Sequence, residues 1–143
     1  MKIDTEIRSF GKSNGVPITL DETLNFLLET INSSNYKDIL EIGTAIGYGC
    51  ITIAENTVDT HIDTLEIDKE RYDIARQNII SHKLTDRIST NLIDAMEYIK
   101  KCHKKYDLIY LDGPKGQYIN YLPYLIIPLI KGGGCVHHPR LFN

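Results

Sequence analysis

Apolar residues recur with two different periods along this chain of 143 residues, and they predict strands that alternate with helices. Short apolar runs predict buried strands at 38–42, 61–67, 87–92 and 106–111. Longer stretches between and after them predict helices at 47–55, 68–83, 95–102 and from about Tyr118 to Leu125. A last short strand is expected after Gly132-Gly-Gly134, which we interpret as the break that ends the preceding helix.

A further helix is predicted at 21–33, before the first strand. One of its faces is apolar and is formed by Leu24, Leu27, Leu28 and Ile31. Asp21 stands where an N-cap is expected. Residues 1–35 are therefore interpreted as an N-terminal helical arm.

Alternating strands and helices joined by short loops predict a parallel sheet that is covered on both faces. Right-handed crossovers give the strand order 3-2-1-4-5, a Rossmann-like, doubly wound α/β fold. The order reverses between the first and fourth strands, so a ligand is expected in the crevice at their carboxyl ends. The length predicts a single domain over 1–143.

Composition is typical of a globular protein, with 42% hydrophobic and 24% charged residues. The net charge of -3 supplies no overall basic field for nucleic acid, although a local patch is not excluded. The densest basic cluster, interpreted as a solvated helix end, is formed by Lys100, Lys101, His103, Lys104 and Lys105. Three cysteines without C-x-x-C spacing predict a reducing, cytoplasmic location. The longest apolar run, at 124–130, is too short to span a bilayer, so no membrane partner is expected.

The turn after the first strand favours one class of cofactor. A dinucleotide-binding turn needs G-x-G-x-x-G, but Ala45 and Tyr48 occupy its second and third glycine positions. The pattern present, Glu41-x-Gly43-x-x-x-Gly47, suits a cofactor without a pyrophosphate. Glu66 ends the second strand at about the spacing of 20 residues from the turn that ribose-binding acids have.

A second candidate site follows the fourth strand. Asp112 stands at the carboxyl end of that strand, and Lys115 follows closely. One interpretation is that Asp112 binds a divalent cation and Lys115 takes a proton from a hydroxyl held on that metal. The alternative is a helix N-cap followed by a lysine in solvent.

Four motifs together resemble one known family. Glu-Ile-Gly-Thr-Ala-Ile-Gly-Tyr at 41–48, Leu-Glu-Ile-Asp at 65–68, Asp94-Ala95 and Leu-Asp-Gly-Pro-Lys-Gly-Gln-Tyr at 111–118 resemble the catechol O-methyltransferase-like family. The similarity is greatest to its small bacterial members, some of which methylate 5-hydroxyuridine in tRNA. The segment 14–19 also resembles the part of those proteins that crosses the cofactor pocket.

The resemblance implies a role for each matching residue. S-adenosylmethionine would be held by Thr19, Glu41, Gly43, Thr44, Ala45, Gly47, Tyr48, Gly49, Glu66, Ile67, Asp94, Ala95 and Asp112. Within that set, Glu66 would bind the ribose hydroxyls, and Asp94 with Ala95 would flank the adenine. Asp112 and Lys115 would be the catalytic residues, with Lys115 as general base. The family also implies a magnesium ion and a homodimer.

The chain departs from the family pattern near its end. In the family the fifth strand ends in Asp-Asn, whereas His138 and Pro139 stand at those positions here. Magnesium prefers oxygen ligands, so His137 and His138, with Cys135, are candidate ligands for a softer metal; the alternative is that they bind nothing. The chain is also expected to lack the C-terminal strands of the family's seven-stranded sheet.

The leading hypothesis is a metal-assisted O-methyltransferase that acts on a hydroxylated acceptor, either a tRNA hydroxyuridine or a small phenolic diol. The alternative is a shortened, catalytically impaired remnant that binds the cofactor or dimerises. A nucleotide-dependent oxidoreductase ranks third, because of Ala45.

Overall fold

Five parallel strands form one sheet in the computed structural model, which describes residues 1–111 and 126–137. The strands are β1 (Asp38–Ile42), β2 (His61–Glu66), β3 (Ile88–Leu92), β4 (Tyr106–Leu111) and β5 (Ile130–His137). Their order is β3-β2-β1-β4-β5. This confirms the predicted topology, which places the carboxyl ends of β1 and β4 beside each other.

Helices cover both faces of the sheet. They are α1 (Thr5–Ser13), α2 (Asp21–Ser34), α3 (Tyr48–Glu55), α4 (Lys69–Ser81) and α5 (Ala95–Lys101), with a short 3-10 helix at Ile127–Leu129. Among residues 1–111 and 126–137, no helix meets the length and hydropathy that a bilayer-spanning segment needs.

Side chains that alternate along each strand supply two cores. In β1, Ile39 packs into a core with residues of α1 to α4. The next residue, Leu40, packs into a second core with residues of α5 and the 3-10 helix. Each face of the sheet is therefore buried by its own group of helices, as a doubly wound fold requires.

The predicted N-cap of α2 is wrong. The helix begins at Asp21 itself, and the cap residue Leu20 makes no side-chain hydrogen bond. The Asp21 carboxylate instead accepts a hydrogen bond from the Tyr48 hydroxyl at 3.1 Å and pairs with Arg8 at 3.1 Å. These partners come from α1 and α3, so local sequence cannot reveal them.

The predicted break at the glycines is also wrong, because Gly132, Gly133 and Gly134 lie within β5. The register between β4 and β5 shifts between Tyr106 and Leu108, which places the glycines in an irregular, bulged segment. Gly133 has a φ of 84°, and a Cβ on Gly134 would stand 2.5 Å from the Asp107 carbonyl oxygen. Glycine is thus required at positions 133 and 134 by the bulge rather than by a helix end. The helix predicted from Tyr118 to Leu125 lies outside the described residues.

Asp107 ties the entrance of β1 to β4. Its Oδ2 accepts hydrogen bonds from the backbone N–H groups of Lys37 and Asp38, each at 2.8 Å, and Lys131 lies 3.6 Å away. Burial opposes ionisation of the carboxyl, but the two N–H donors and Lys131 outweigh it and lower the pKa of Asp107. The stabilisation is therefore present above the ordinary pKa of about 3.8 and is lost as the pH falls through the lowered value.

We expect Asp107→Ala to lower the free energy of unfolding by about 1–3 kcal/mol at pH 7, because two backbone donors lose their acceptor. Urea unfolding at pH 7 and in steps below pH 4 would measure this, and the difference from wild type should shrink as the pH falls. The exposed Asp86→Ala is the matched control and should change little. A pH-independent difference would contradict the assigned role of the carboxylate.

Candidate functional site

A glycine turn at the carboxyl end of β1 forms the centre of the site. Gly43 and Gly47 have φ values of 106° and 93°, and Ala45 has a φ of 50°. The N–H groups of Gly43 and Thr44 both donate to the Leu65 carbonyl, at 2.9 and 3.0 Å. The turn is therefore fixed to the end of β2, and its one left-handed alanine costs on the order of 1–2 kcal/mol that other contacts must offset.

Glu66 supplies one of those contacts. Its Oε1 accepts a hydrogen bond from the Ala45 N–H at 2.7 Å, and its Oε2 accepts from the N–H groups of Ile67 and Asp68 at 3.1 and 3.0 Å. The carboxylate is thus brought against the turn, where the sequence spacing places it. It also holds Ala45 in its unfavourable conformation.

A second carboxylate, Glu41, lies buried beneath the turn. Its Oε1 accepts from the Thr64 hydroxyl at 2.5 Å, and its Oε2 accepts from the Tyr110 hydroxyl. The Thr44 and Thr64 hydroxyl oxygens are 2.6 Å apart. Since Thr64 gives its only proton to Glu41, Thr44 must donate to Thr64. The hydrogen-bond network therefore runs from the turn through β2 and β1 to β4.

Sequence reasoning missed Thr64 and Tyr110. In the parallel ladders Glu41 is the register partner of Thr64 in β2 and of Tyr110 in β4. The three side chains consequently lie side by side across the sheet. The sequence shows only that each of these polar residues interrupts an apolar strand. That the three positions are neighbours across the sheet becomes visible once the register of the strands is known.

The N-terminal arm and the start of α3 meet Glu41 at one point. A Cβ built on Gly49 would stand 2.8 Å from Glu41 Oε2 and 2.9 Å from Thr19 Oγ1. Thr19 is itself buried. Thr19, Glu41 and Gly49, which the family resemblance assigns to one ligand, are therefore brought together, and only a glycine fits between the other two.

Tyr48 lies at the same turn but points away from it. Its ring is buried, and its hydroxyl donates to Asp21 of α2. Burial and the neighbouring carboxylate both raise the pKa of Tyr48, so the phenol stays protonated. The described contacts of Tyr48 thus anchor α3 to α2.

The segments that follow β2 and β3 complete this edge of the sheet. Ile67 is 62% exposed directly beyond Glu66. Asp94 is the N-cap of α5, with Oδ1 accepting from the Met96 N–H at 2.8 Å, and Ala95 is buried behind it. The Ile93 N–H donates to the Glu66 carbonyl at 3.0 Å, which holds this segment beside β2. An apolar surface and a carboxylate therefore lie on the far side of Glu66 from the turn.

The predicted catalytic half of the site, Asp112, Lys115 and His138, lies outside the described residues. Within residues 1–111 and 126–137 no group of three or more His, Cys, Asp or Glu side chains comes close enough to hold a metal ion. The described part of the site thus contains the residues assigned to the cofactor, apart from Asp112.

Comparison with known proteins gives consistent matches. The sequence model of a family described as O-methyltransferase matches residues 7–140. A caffeoyl-CoA O-methyltransferase of Zinnia elegans is 36% identical over 120 residues, covering 79% of this chain and 47% of the relative. A crystal structure of a candidate caffeoyl-CoA O-methyltransferase from Staphylococcus aureus has a TM-score of 0.85 at 32% identity, covering 94% of this chain and 65% of that one. An SAH-bound methyltransferase of Podospora anserina has a TM-score of 0.77 at 25% identity, covering 87% and 55%.

The matches cover most of this chain but a smaller share of each relative. The chain spans about half the length of the curated relatives it matches, as the 47% and 48% shares of the Zinnia elegans and Nicotiana tabacum proteins indicate.

We expect Gly49→Ala to lower the free energy of unfolding by about 1–3 kcal/mol, despite the better helix propensity of alanine, because the new methyl overlaps Glu41 and Thr19. Thermal or urea unfolding would measure it. Gly132→Ala is the matched control, since its Cβ would meet nothing within 4 Å. Equal stability of the two variants would show that the Thr19–Glu41–Gly49 contact is loosely packed.

Proposed function

Because this chain belongs to the O-methyltransferase family, whose sequence model matches residues 7–140, we propose that it binds S-adenosylmethionine at the glycine turn for methyl transfer to a hydroxyl oxygen. One observation carries the proposal: a buried carboxylate, Glu41, lies beneath the turn, and a second, Glu66, lies beside it. The SAH-bound state of the Podospora anserina relative supports this choice of cofactor.

The turn suits the amino-acid end of the cofactor. The first turn of α3 presents backbone N–H groups and a positive dipole end, which favour a carboxylate. The buried Glu41 supplies a negative charge that favours an ammonium group or a sulfonium. Thr19 offers a hydroxyl from the arm at the same point. When bound, the cofactor supplies a methyl group on a positively charged sulfur.

The nucleoside end would lie along the edge beyond β2. Glu66 would accept from ribose hydroxyls, although its two oxygens already accept three backbone N–H groups. A carboxylate has about four acceptor positions, so one position remains for a first ribose hydroxyl, and a second hydroxyl must share or replace a backbone donor. Exposed Ile67 would cover one face of the adenine, with Asp94 and Ala95 beside it.

The catalytic step is proposed from the family resemblance alone. Lys115 would take the proton of the acceptor hydroxyl, and Asp112 would be a ligand of a divalent cation, with His138 as a candidate second ligand in place of the family's aspartate. Since His138 stands where the family has an aspartate, we derive no step through the metal. Homodimer formation and a cytoplasmic location likewise remain proposals.

A small phenolic diol is our preferred acceptor, with a tRNA hydroxyuridine second. Relatives named for caffeoyl-CoA favour the phenol. The basic cluster spans the last turn of α5 and the loop before β4, so it lies at the amino end of the sheet, opposite the turn. Two of its lysines are already paired, Lys101 with Glu97 and Lys104 with Asp63. RNA held there would not lie over the turn.

We expect Glu66→Ala to weaken SAH binding by about 1–3 kcal/mol, because charge-assisted hydrogen bonds to the ribose are lost. Isothermal titration calorimetry would measure the affinity, with thermal unfolding to check that the variant is folded. The exposed Glu70→Ala is the control and should bind as the wild type does. Unchanged affinity in a folded Glu66→Ala protein would remove Glu66 from the site.

We expect Lys115→Ala to abolish methyl transfer to a catechol and to leave SAH affinity nearly unchanged, because a general base acts on the acceptor. Transfer of a labelled methyl group would be measured with and without excess chelator, and chelator should stop the wild type. Lys105→Ala, an exposed lysine, is the control. Turnover in chelator would contradict the metal proposal, and SAH binding without turnover on any hydroxylated acceptor would favour the remnant that only binds the cofactor.

A further inference from the structure

His82 joins three segments outside the sheet, the start of α1, the end of α3 and the end of α4. It is the C-cap residue of α4, and its Nε2 lies 2.7 Å from Oδ2 of Asp4, the N-cap residue of α1. Its Nδ1 lies 3.2 Å from Oε2 of Glu55, the last residue of α3. The ring is mostly buried, with 18% of its side chain exposed.

This geometry defines the protonation state of the ring. A neutral imidazole has one N–H, so it would place the lone pair of its other nitrogen against a carboxylate. Only the imidazolium donates to both Asp4 and Glu55. Burial acts against the charge, but the two carboxylates outweigh it and raise the pKa of His82 above its ordinary value.

The other charged groups nearby belong to the same three segments. Lys2 Nζ lies 3.5 Å from the Glu55 oxygen that faces His82. Glu6 and Asp73 line the groove between α1 and α4 that the ring borders. Lys2 opposes the protonated ring, whereas the two additional carboxylates favour it.

The first part of the N-terminal arm, residues 1–20, connects this cluster to the proposed cofactor site. In α1, a Cβ on Gly11 would stand 2.8 Å from Ile18 Cγ2 and 3.4 Å from Ile46 Cδ1. Thus α1 packs directly on the segment before Thr19 and on the glycine turn. A shift of α1 would therefore move both the segment before Thr19 and the glycine turn.

We propose that Asp4, His82 and Glu55 form a pH-sensitive latch that holds the N-terminal arm against the body of the domain and thereby keeps Thr19 seated beside Gly49. The consequence for cofactor binding rests on the proposed function, whereas the latch itself does not.

The sign of the pH effect follows from the two partners. The His82 contribution is complete below its ordinary pKa of 6.5 and is lost as the pH rises through the raised value. The pKa of Asp4 is lowered, since the Ile7 N–H and His82 outweigh burial, so its contribution is lost only as the pH falls through that lowered value. The latch is therefore closed at mildly acid pH and opens on the alkaline side.

Amide hydrogen exchange of the full chain between pH 6 and pH 9, corrected for intrinsic rates, tests the latch. We expect the protection of α1 to fall about tenfold as the pH rises, while protection in β1 and β4 stays constant. His82→Gln should show low, pH-independent protection of α1. His61→Gln, a histidine beside Asp63 at the amino end of β2, is the matched control and should retain the wild-type response. Constant protection of α1 in the wild type, or an unchanged response in His82→Gln, would overturn the latch.

Titration with SAH over the same pH range tests the connection to the site. We expect the affinity to fall in parallel with α1 protection in the wild type and to fall less steeply in His82→Gln, where the amino group of SAH still titrates. An affinity that stays constant while α1 loosens would overturn the connection. Absence of SAH binding at every pH would instead refute the proposed function. The latch would then be tested by the amide hydrogen exchange of α1 alone.

Discussion

Burial of the Glu41 carboxylate is the constraint on which the site depends. A charge removed from water is costly unless several donors meet it. Thr64 and Tyr110 provide those donors from the strands on either side, so the register of β2, β1 and β4 is tied to one side chain. Gly49 must lack a side chain for the same reason, since any Cβ would displace the acid or Thr19. Among the described residues, no buried side-chain polar atom lacks a hydrogen-bond partner.

Glu66 is the second acid of the site and lies at the carboxyl end of β2. Glu41 is enclosed by hydroxyl groups, whereas Glu66 is held by three backbone N–H groups at the rim of the turn. Side-chain hydroxyls fix the strands relative to one another, and backbone donors fix the shape of the turn. The two acids thus divide the work of preorganising the site, which reduces the entropy that a ligand must lose to be ordered there.

The sequence predicts the sheet well because apolar runs and connection rules depend on local pattern alone. Strand order, the crevice and the position of Glu66 follow from it. The predictions that are wrong concern residues whose contacts come from segments distant in the chain. Asp21 resembles an N-cap but is taken by Arg8 and Tyr48. The glycines at 132–134 resemble a helix end but accommodate a bulge against Asp107. The roles of Thr64 and His82 likewise appear only when three separate segments meet.

The direction of the hydroxyl network has a consequence for how this protein can change over evolution. Thr64 is the member of this network that both accepts a hydrogen bond from Thr44 and donates one to Glu41. A valine there has nearly the same shape, yet it would leave a donor and an acceptor unsatisfied at once. A substitution of Thr64 is therefore tolerated only together with changes at its partners. We expect Thr44, Thr64 and Glu41 to be substituted together among related sequences.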